Sequence, residues 1–196
     1  LGNVNYLTGQ AFEVPTITKA AHAVGAFCGW DLAHGAGSLE LKLNEWGPDF
    51  AVWCSYKYLN SGPGALAGCF VHEKHHRDPS IPRFEGWWGH NKKTRFAMGP
   101  EFDPIQTAEA WQLSNPPIFQ LAAMRASLEI FDRIGMAELR RQSMELVARL
   151  EARVKKMGKI QIVTPSDPTQ RGAHLSLRVP GRPQEWVSRL EKSGVI

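Results

Sequence analysis

Three apolar runs with almost no polar interruption limit what this chain can fold into: Phe27-Cys-Gly-Trp30, Phe50-Ala-Val-Trp-Cys-Ser55 and Ala65-Leu-Ala-Gly-Cys-Phe-Val71. A strand with one wet face alternates apolar and polar residues, whereas short continuous runs mark strands covered on both faces. Just upstream, residues 14–24 carry Pro15 near their start and Gly25 just past their end, the usual punctuation of a helix. A helix followed by such strands predicts an α/β sandwich: a mixed, mostly parallel sheet with helices on both faces. In sheets of this kind ligands bind beyond the strand ends, in the loops.

The first two runs end in chemistry. One leads into Asp31-Leu-Ala-His34, the other into Tyr56-Lys57-Tyr-Leu-Asn60. Any one of these polar residues alone would be an ordinary solvated strand end. Together they would bring an acid, an imidazole and an amine to one sheet edge, and buried Asp and Lys are rare unless paired or functional. A pyridoxal-phosphate site needs this combination. Its amine forms a Schiff base with the cofactor aldehyde, and its acid keeps the pyridine nitrogen protonated.

Residues 75–115 are rich in Gly, Pro, Trp and charge and predict an irregular segment, which inside a compact domain is often functional. After Asn115-Pro-Pro117 the pattern becomes helical. Leu121, Met124, Leu128 and Phe131 recur at helical spacing up to Gly135, and Leu139, Leu146, Val147, Leu150 and Val154 form a second stripe that stops at Gly158. Strands over 160–163 and 175–179 and a helix over 183–192 follow. The expected organisation is residues 1–136 as part of a large domain, and 137–196 as an interdomain helix and the start of a smaller α/β C-terminal domain. Leu1 is no initiator Met and Val195-Ile196 opens an apolar run, so a fragment incomplete at both ends is expected.

Composition narrows the class. The excess of Lys+Arg (23) over Asp+Glu (19) gives only +4, and the basic residues are scattered, which argues against a nucleic-acid partner. No run approaches the ~18 apolar residues of a membrane helix. Cys28, Cys54 and Cys69 each sit in an apolar run, so three buried thiols are expected, and the odd count argues against a disulfide framework. With no secretory signal or Asn-x-Ser/Thr acceptor, a cytoplasmic enzyme is the expectation.

Asp31-Leu-Ala-His34, Ser55-Tyr-Lys57-Tyr-Leu-Asn60, Gly86-Trp-Trp-Gly-His90 and Ser114-Asn-Pro-Pro117 together closely resemble the kynureninase family. Tyr6-Leu-Thr-Gly-Gln10, Trp46-Gly-Pro-Asp49, His72-Glu-Lys74 and Ala126-Ser-Leu-Glu-Ile-Phe131 extend the resemblance, which is densest from 1 to 131. It implies a fold-type I pyridoxal-phosphate enzyme of the class V aminotransferase superfamily. The implied reaction is hydrolysis of the Cβ–Cγ bond of L-kynurenine or 3-hydroxykynurenine to an anthranilate and alanine, in tryptophan catabolism and NAD biosynthesis. By the same resemblance Lys57 is the Schiff-base lysine and the base that moves the α-proton, and Asp31 pairs with the pyridinium nitrogen. His34 is a cofactor contact. Tyr56 binds the phosphate and acts as a proton donor. Trp87 and Asn115 contact cofactor, Trp87 from across a homodimer interface, while His90 and Asn115 line the substrate pocket. Gly2 departs from the family, which often has a small hydroxyl residue there to contact phosphate. The family's phosphate loop, ring-stacking aromatic and carboxylate-binding arginine have no counterpart in this sequence.

Other readings compete. A cysteine desulfurase would carry His directly before the lysine and Gln at position 34, where this chain has Tyr56 and His34; an aminotransferase shares the early steps. A non-enzymatic scaffold is disfavoured by the presence of both Lys57 and Asp31. His72-Glu-Lys-His-His76 fits the H-E-x-x-H zinc pattern, but an apolar run ends at Val71 and Asp78-Pro79 cuts any helix short, so no metal site is expected. Gly62-Pro-Gly64 leads into a strand rather than a helix, which removes the dinucleotide reading. Trp30, Trp46 and Trp53 are expected in the core and Trp186 on one face of the last helix, while Trp87 and Trp88 suit stacking or an interface.

Overall fold

The computed structural model describes residues 1–195. α1 (Val14–Ala23) carries Pro15 in its first turn and is followed by Gly25 at φ +73°. β1 (Gly29–Asp31), β2 (Phe50–Cys54) and β3 (Ala67–Val71) form one sheet in that order, with α2 (Leu43–Trp46) inside the β1–β2 crossover. β1 runs parallel to β2, with Trp30 opposite Ala51, and β3 runs antiparallel, with Phe70 opposite Ala51. The chain is α/β with a mixed sheet, as the apolar runs predicted.

Side chains alternate across the sheet, and the two faces differ. Trp30 and Ala51 join Val14, Cys28, Leu32 and Ala36 in a core, against which Ile17, Ala21, Trp46, Trp53 and Phe70 pack. Leu32 is fully buried, which contributes about 1.5–3 kcal/mol. On the other face Phe50 and Val52 remain 46% and 45% exposed. With Cys69 and Val71 they line an apolar groove of about 460 Å³, bordered by Phe27, Ile81, Pro82 and Trp111. The expected double burial therefore holds only on the α1 side among the described residues. The thiols follow the same asymmetry: Cys28 is buried, Cys54 intermediate and Cys69 exposed.

Asp49, just before β2, ties this layer together. Its carboxylate accepts from Cys28 N (2.6 Å), His22 Nε2 (2.9 Å), His75 Nε2 (2.8 Å) and Lys74 Nζ (2.7 Å). These donors hold its carboxyl well below the usual 3.8, against the opposing effect of burial. The H-E-x-x-H residues have other work. Residues 73–75 make a single 3₁₀ turn capped by His72, and His76 Nε2 donates to Val71 O at 2.9 Å. Two histidines on one face of an α-helix, which the zinc motif requires, are not formed.

Residues 76–117 are irregular apart from short 3₁₀ turns, including Trp87–Gly89 and Arg95–Ala97. α3 (Ile118–Ile134) and α4 (Met136–Lys156) are joined at Gly135, β4 (Gln161–Ile162) pairs antiparallel with β5 (Leu177–Arg178), and α5 (Pro183–Lys192) follows. On α4 the buried stripe is Arg140, Val147, Glu151 and Val154, whereas Leu146 and Leu150 are 65% and 50% exposed. The stripe is rotated from the apolar prediction because two charged residues have partners in the loop before β5. Arg140 donates to the carbonyls of Pro168, Arg171 and Gly172, and Arg171 pairs with Glu151 at 2.8 Å. That loop is in turn sewn to the N-terminal turn: Ala11 N donates to Gln170 O and Gly172 N to Gly9 O, both at 2.9 Å.

Candidate active site

Parallel pairing of β1 and β2 puts Asp31 beside Val52 and delivers the turn after Cys54 to the same sheet edge. That turn is built tightly. Ser55 is fully buried, its hydroxyl donates to Leu66 O, and Ser61 N donates back to Ser55 O at 3.1 Å. Gly37 (φ +84°) abuts the Tyr58 backbone so closely that a Cβ would lie 2.8 Å from its carbonyl, so a larger residue would displace the turn. From α3, the Ser127 hydroxyl donates to Leu59 O. Lys57 thus stands on a turn fixed from three directions.

Its ammonium meets His34 Nε2 at 3.2 Å. Burial first, then the charges of Lys57 and His174, keep His34 below its ordinary pKa, so its imidazole is a neutral acceptor. Asp31 is exposed, and among the described residues its carboxylate accepts only from Ala33 N, at 2.8 Å on Oδ1. Asp31, His34 and Lys57 share a cavity of about 720 Å³ with Gly2, Asn5, Tyr6 and Phe12. Tyr56 is 54% exposed and its ring lies 5.9 Å from Lys57 Nζ; a hydrogen bond with Cys54 raises its pKa, so the phenol stays protonated.

The other sequence-predicted residues lie elsewhere in this chain. Trp87 and His90 border a separate cavity of about 370 Å³. His90 Nε2 contacts Thr94 Oγ1 at 3.0 Å, and Trp87 stacks edge-on to Trp88 and Phe96. Arg95 braces that turn, donating to Trp88 O and His90 O with its guanidinium 4.5 Å from the Trp88 ring. Asn115 is exposed and accepts from the Ser114 hydroxyl.

Sequence reasoning missed Asn5, Phe12 and His174. Asn5 Oδ1 accepts from Leu7 N and Thr8 N, an Asx turn whose short polar signature resembles any loop. His174 comes from the far end of the chain, its ring 6.1 Å from that of His34. Nothing local in Gly172-Ala-His174 announces that contact.

The family model for class-V aminotransferases matches residues 1–196. The chain belongs to the class-V aminotransferase family. A kynureninase of Myxococcus xanthus is 63% identical over the whole chain and 46% of the relative, and one of Christiangramia forsetii is 54% identical over the whole chain and 47% of the relative. The chain therefore spans about half the length of the curated relatives it matches. Among solved structures, a cysteine desulfurase of Escherichia coli superposes with a TM-score of 0.78 at 17% identity, covering 99% of this chain and 46% of that one. At that identity the likeness shows the shared fold. Among the described residues no helix is long and apolar enough to cross a membrane.

Proposed function

We propose that this chain carries the lysine-bearing core of a pyridoxal-phosphate enzyme that hydrolyses the Cβ–Cγ bond of L-kynurenine or 3-hydroxy-L-kynurenine. The observation that carries the reading is the shared cavity of Asp31, His34 and Lys57, in a chain 63% identical to a kynureninase. The residues fit the cofactor. Lys57 offers an amine whose neighbour His34 is neutral, and Asp31 has only one backbone donor, leaving carboxylate capacity for a ring nitrogen. Bound there, pyridoxal phosphate supplies an electron sink for the substrate's α-carbon.

Lys57 would hold the cofactor through its aldehyde and would carry the substrate's α-proton, with His34 beside its Nζ at 3.2 Å. Asp31 would hold the pyridine nitrogen in its protonated form, and the Tyr56 phenol would donate to the phosphate. Water adds to the γ-carbonyl, the Cβ–Cγ bond breaks with its electron pair going to Cβ, Cβ is protonated, and the products are anthranilate and alanine. Trp87, His90 and Asn115 are proposed to serve the cofactor and substrate ring. Within one chain Trp87 and His90 border a different cavity from Lys57, which supports a homodimer in which Trp87 reaches the partner's site. Residues 1–136 and 137–196 are proposed as parts of a large and a small domain, and the enzyme as cytoplasmic.

The test uses the full-length protein with pyridoxal phosphate and L-kynurenine, anthranilate being followed by fluorescence. Anthranilate from the wild type and none from Lys57→Ala supports the reading. Cofactor binding without anthranilate points to another class-V chemistry, an aminotransferase or a desulfurase. Absence of cofactor binding overturns the assignment.

A further inference from the structure

The contact between Lys57 and His34 leaves a question of proton placement. An ammonium can only donate, so with Lys57 in that form the 3.2 Å contact requires Nε2 to be unprotonated and Nδ1 to carry the hydrogen. Free imidazole has no strong reason to choose that form; the partner of the second nitrogen decides it. His34 Nδ1 is buried and has no hydrogen-bond partner, and the same is true of His174 Nε2. Two orphaned ring nitrogens in one enclosed spot call for a common explanation. Their rings lie edge to face at 6.1 Å between centroids, too far for a direct hydrogen bond but within the span of one bridging water.

The surrounding backbone is shaped to admit His174. Gly9 sits at φ +73°, and a Cβ there would lie 3.1 Å from His174 Nε2 and 3.1 Å from its carbonyl. The turn that carries Gly9 also presents Asn5 and Tyr6 to the Lys57 cavity. His34 is otherwise faced by Tyr58, 6.2 Å away ring to ring, and by the charges of Lys57 and Asp31.

We propose that His174 is a positioning residue: a water held between its Nε2 and His34 Nδ1 accepts the Nδ1 proton and donates to His174, and so holds His34 Nε2 open as the acceptor for Lys57. A residue from the loop before β5 then governs a proton on the first crossover of the sheet. The consequence for turnover rests on Lys57 being the cofactor amine, as proposed above, whereas the tautomer of His34 does not.

Long-range ¹⁵N–¹H spectra of the full-length, cofactor-free protein report which nitrogen of His34 is protonated, with His34→Gln assigning the signal. The wild type is expected to show the Nδ1–H form. His174→Leu should shift the ratio toward Nε2–H by roughly two- to tenfold, the worth of one net hydrogen bond. His174→Gln, which offers an amide oxygen in place of the ring nitrogen, should restore it. With cofactor and L-kynurenine the Leu variant should lose kcat more than KM, and Gln should recover it. An unchanged His34 spectrum in folded His174→Leu overturns the proposal, as does a wild type already in the Nε2–H form. Intact tautomer control without anthranilate production would count against the hydrolase alone.

Discussion

Asp31 and Asp49 sit one at the end of β1 and one at the start of β2, and they have opposite lives. Asp49 is 4% exposed and saturated by one backbone and three side-chain donors from α1, the β1 approach and the turn after β3. Asp31 is exposed and holds one backbone amide. A carboxylate with all its lone pairs committed stabilises a fold and can do little else. One left with capacity at the carboxyl end of a parallel strand can bind. The same division separates Lys74, spent on Asp49, from Lys57, whose one close polar partner among the described residues is an imidazole.

Four measurements test this contrast. The largest effect is expected at the uncommitted pair. Lys57→Ala should cut anthranilate formation by at least about 10²–10⁴-fold, the contribution of a positioned base, and Asp31→Asn by about 10²–10³-fold, both with melting curves close to wild type. A lowered melting temperature in either would place that residue with Asp49. Next, Asp49→Asn should cost about 3 kcal/mol in denaturant unfolding. That is the low end for breaking a buried charge pair, because water reaches Lys74 and His22; a loss of activity without loss of stability would reverse the roles.

The third test is acid. Asp49 titrates below its ordinary 3.8 in the folded state. The stability it confers is thus fully present above that value and lost as pH falls through it toward the folded pKa. Wild type should lose stability steeply below about pH 4, and Asp49→Asn should flatten that limb. Equal slopes would remove Asp49 as the acid-sensitive group. The smallest effect is expected at His72 and His76. Chelator treatment, His72→Ala and His76→Ala should each leave turnover within about twofold, since His76 only bonds the Val71 carbonyl; chelator-sensitive activity would restore the zinc reading.

Local pattern carried much of this. Pro15 and Gly25 bracket α1, Pro117 and Gly135 bracket α3, and the polar tips of two apolar runs contain all three residues of the Lys57 cavity's acid, imidazole and amine. The failures share a cause. Apolar continuity could not reveal that Phe50 and Val52 face an open groove, because residue type records hydrophobicity and not which neighbour covers it. The α4 stripe was right at Val147 and Val154 but missed Arg140 and Glu151, which are buried by partners some twenty to thirty residues away, and the contact of His174 with His34 spans still farther. Periodicity contains no term for such pairings.

The seam between Gly9–Ala11 and Gln170–Gly172 joins segments about 160 residues apart, and this has a kinetic consequence. Helical hairpins such as α3–α4 close short loops and form early, while a contact of such long sequence separation must await loop closure and slows the final step. The wall of the Lys57 cavity formed by Asn5 and Tyr6 hangs from that seam. On refolding, helical signal should therefore return before the cavity does, leaving a stage in which the lysine is in place and its enclosure is not.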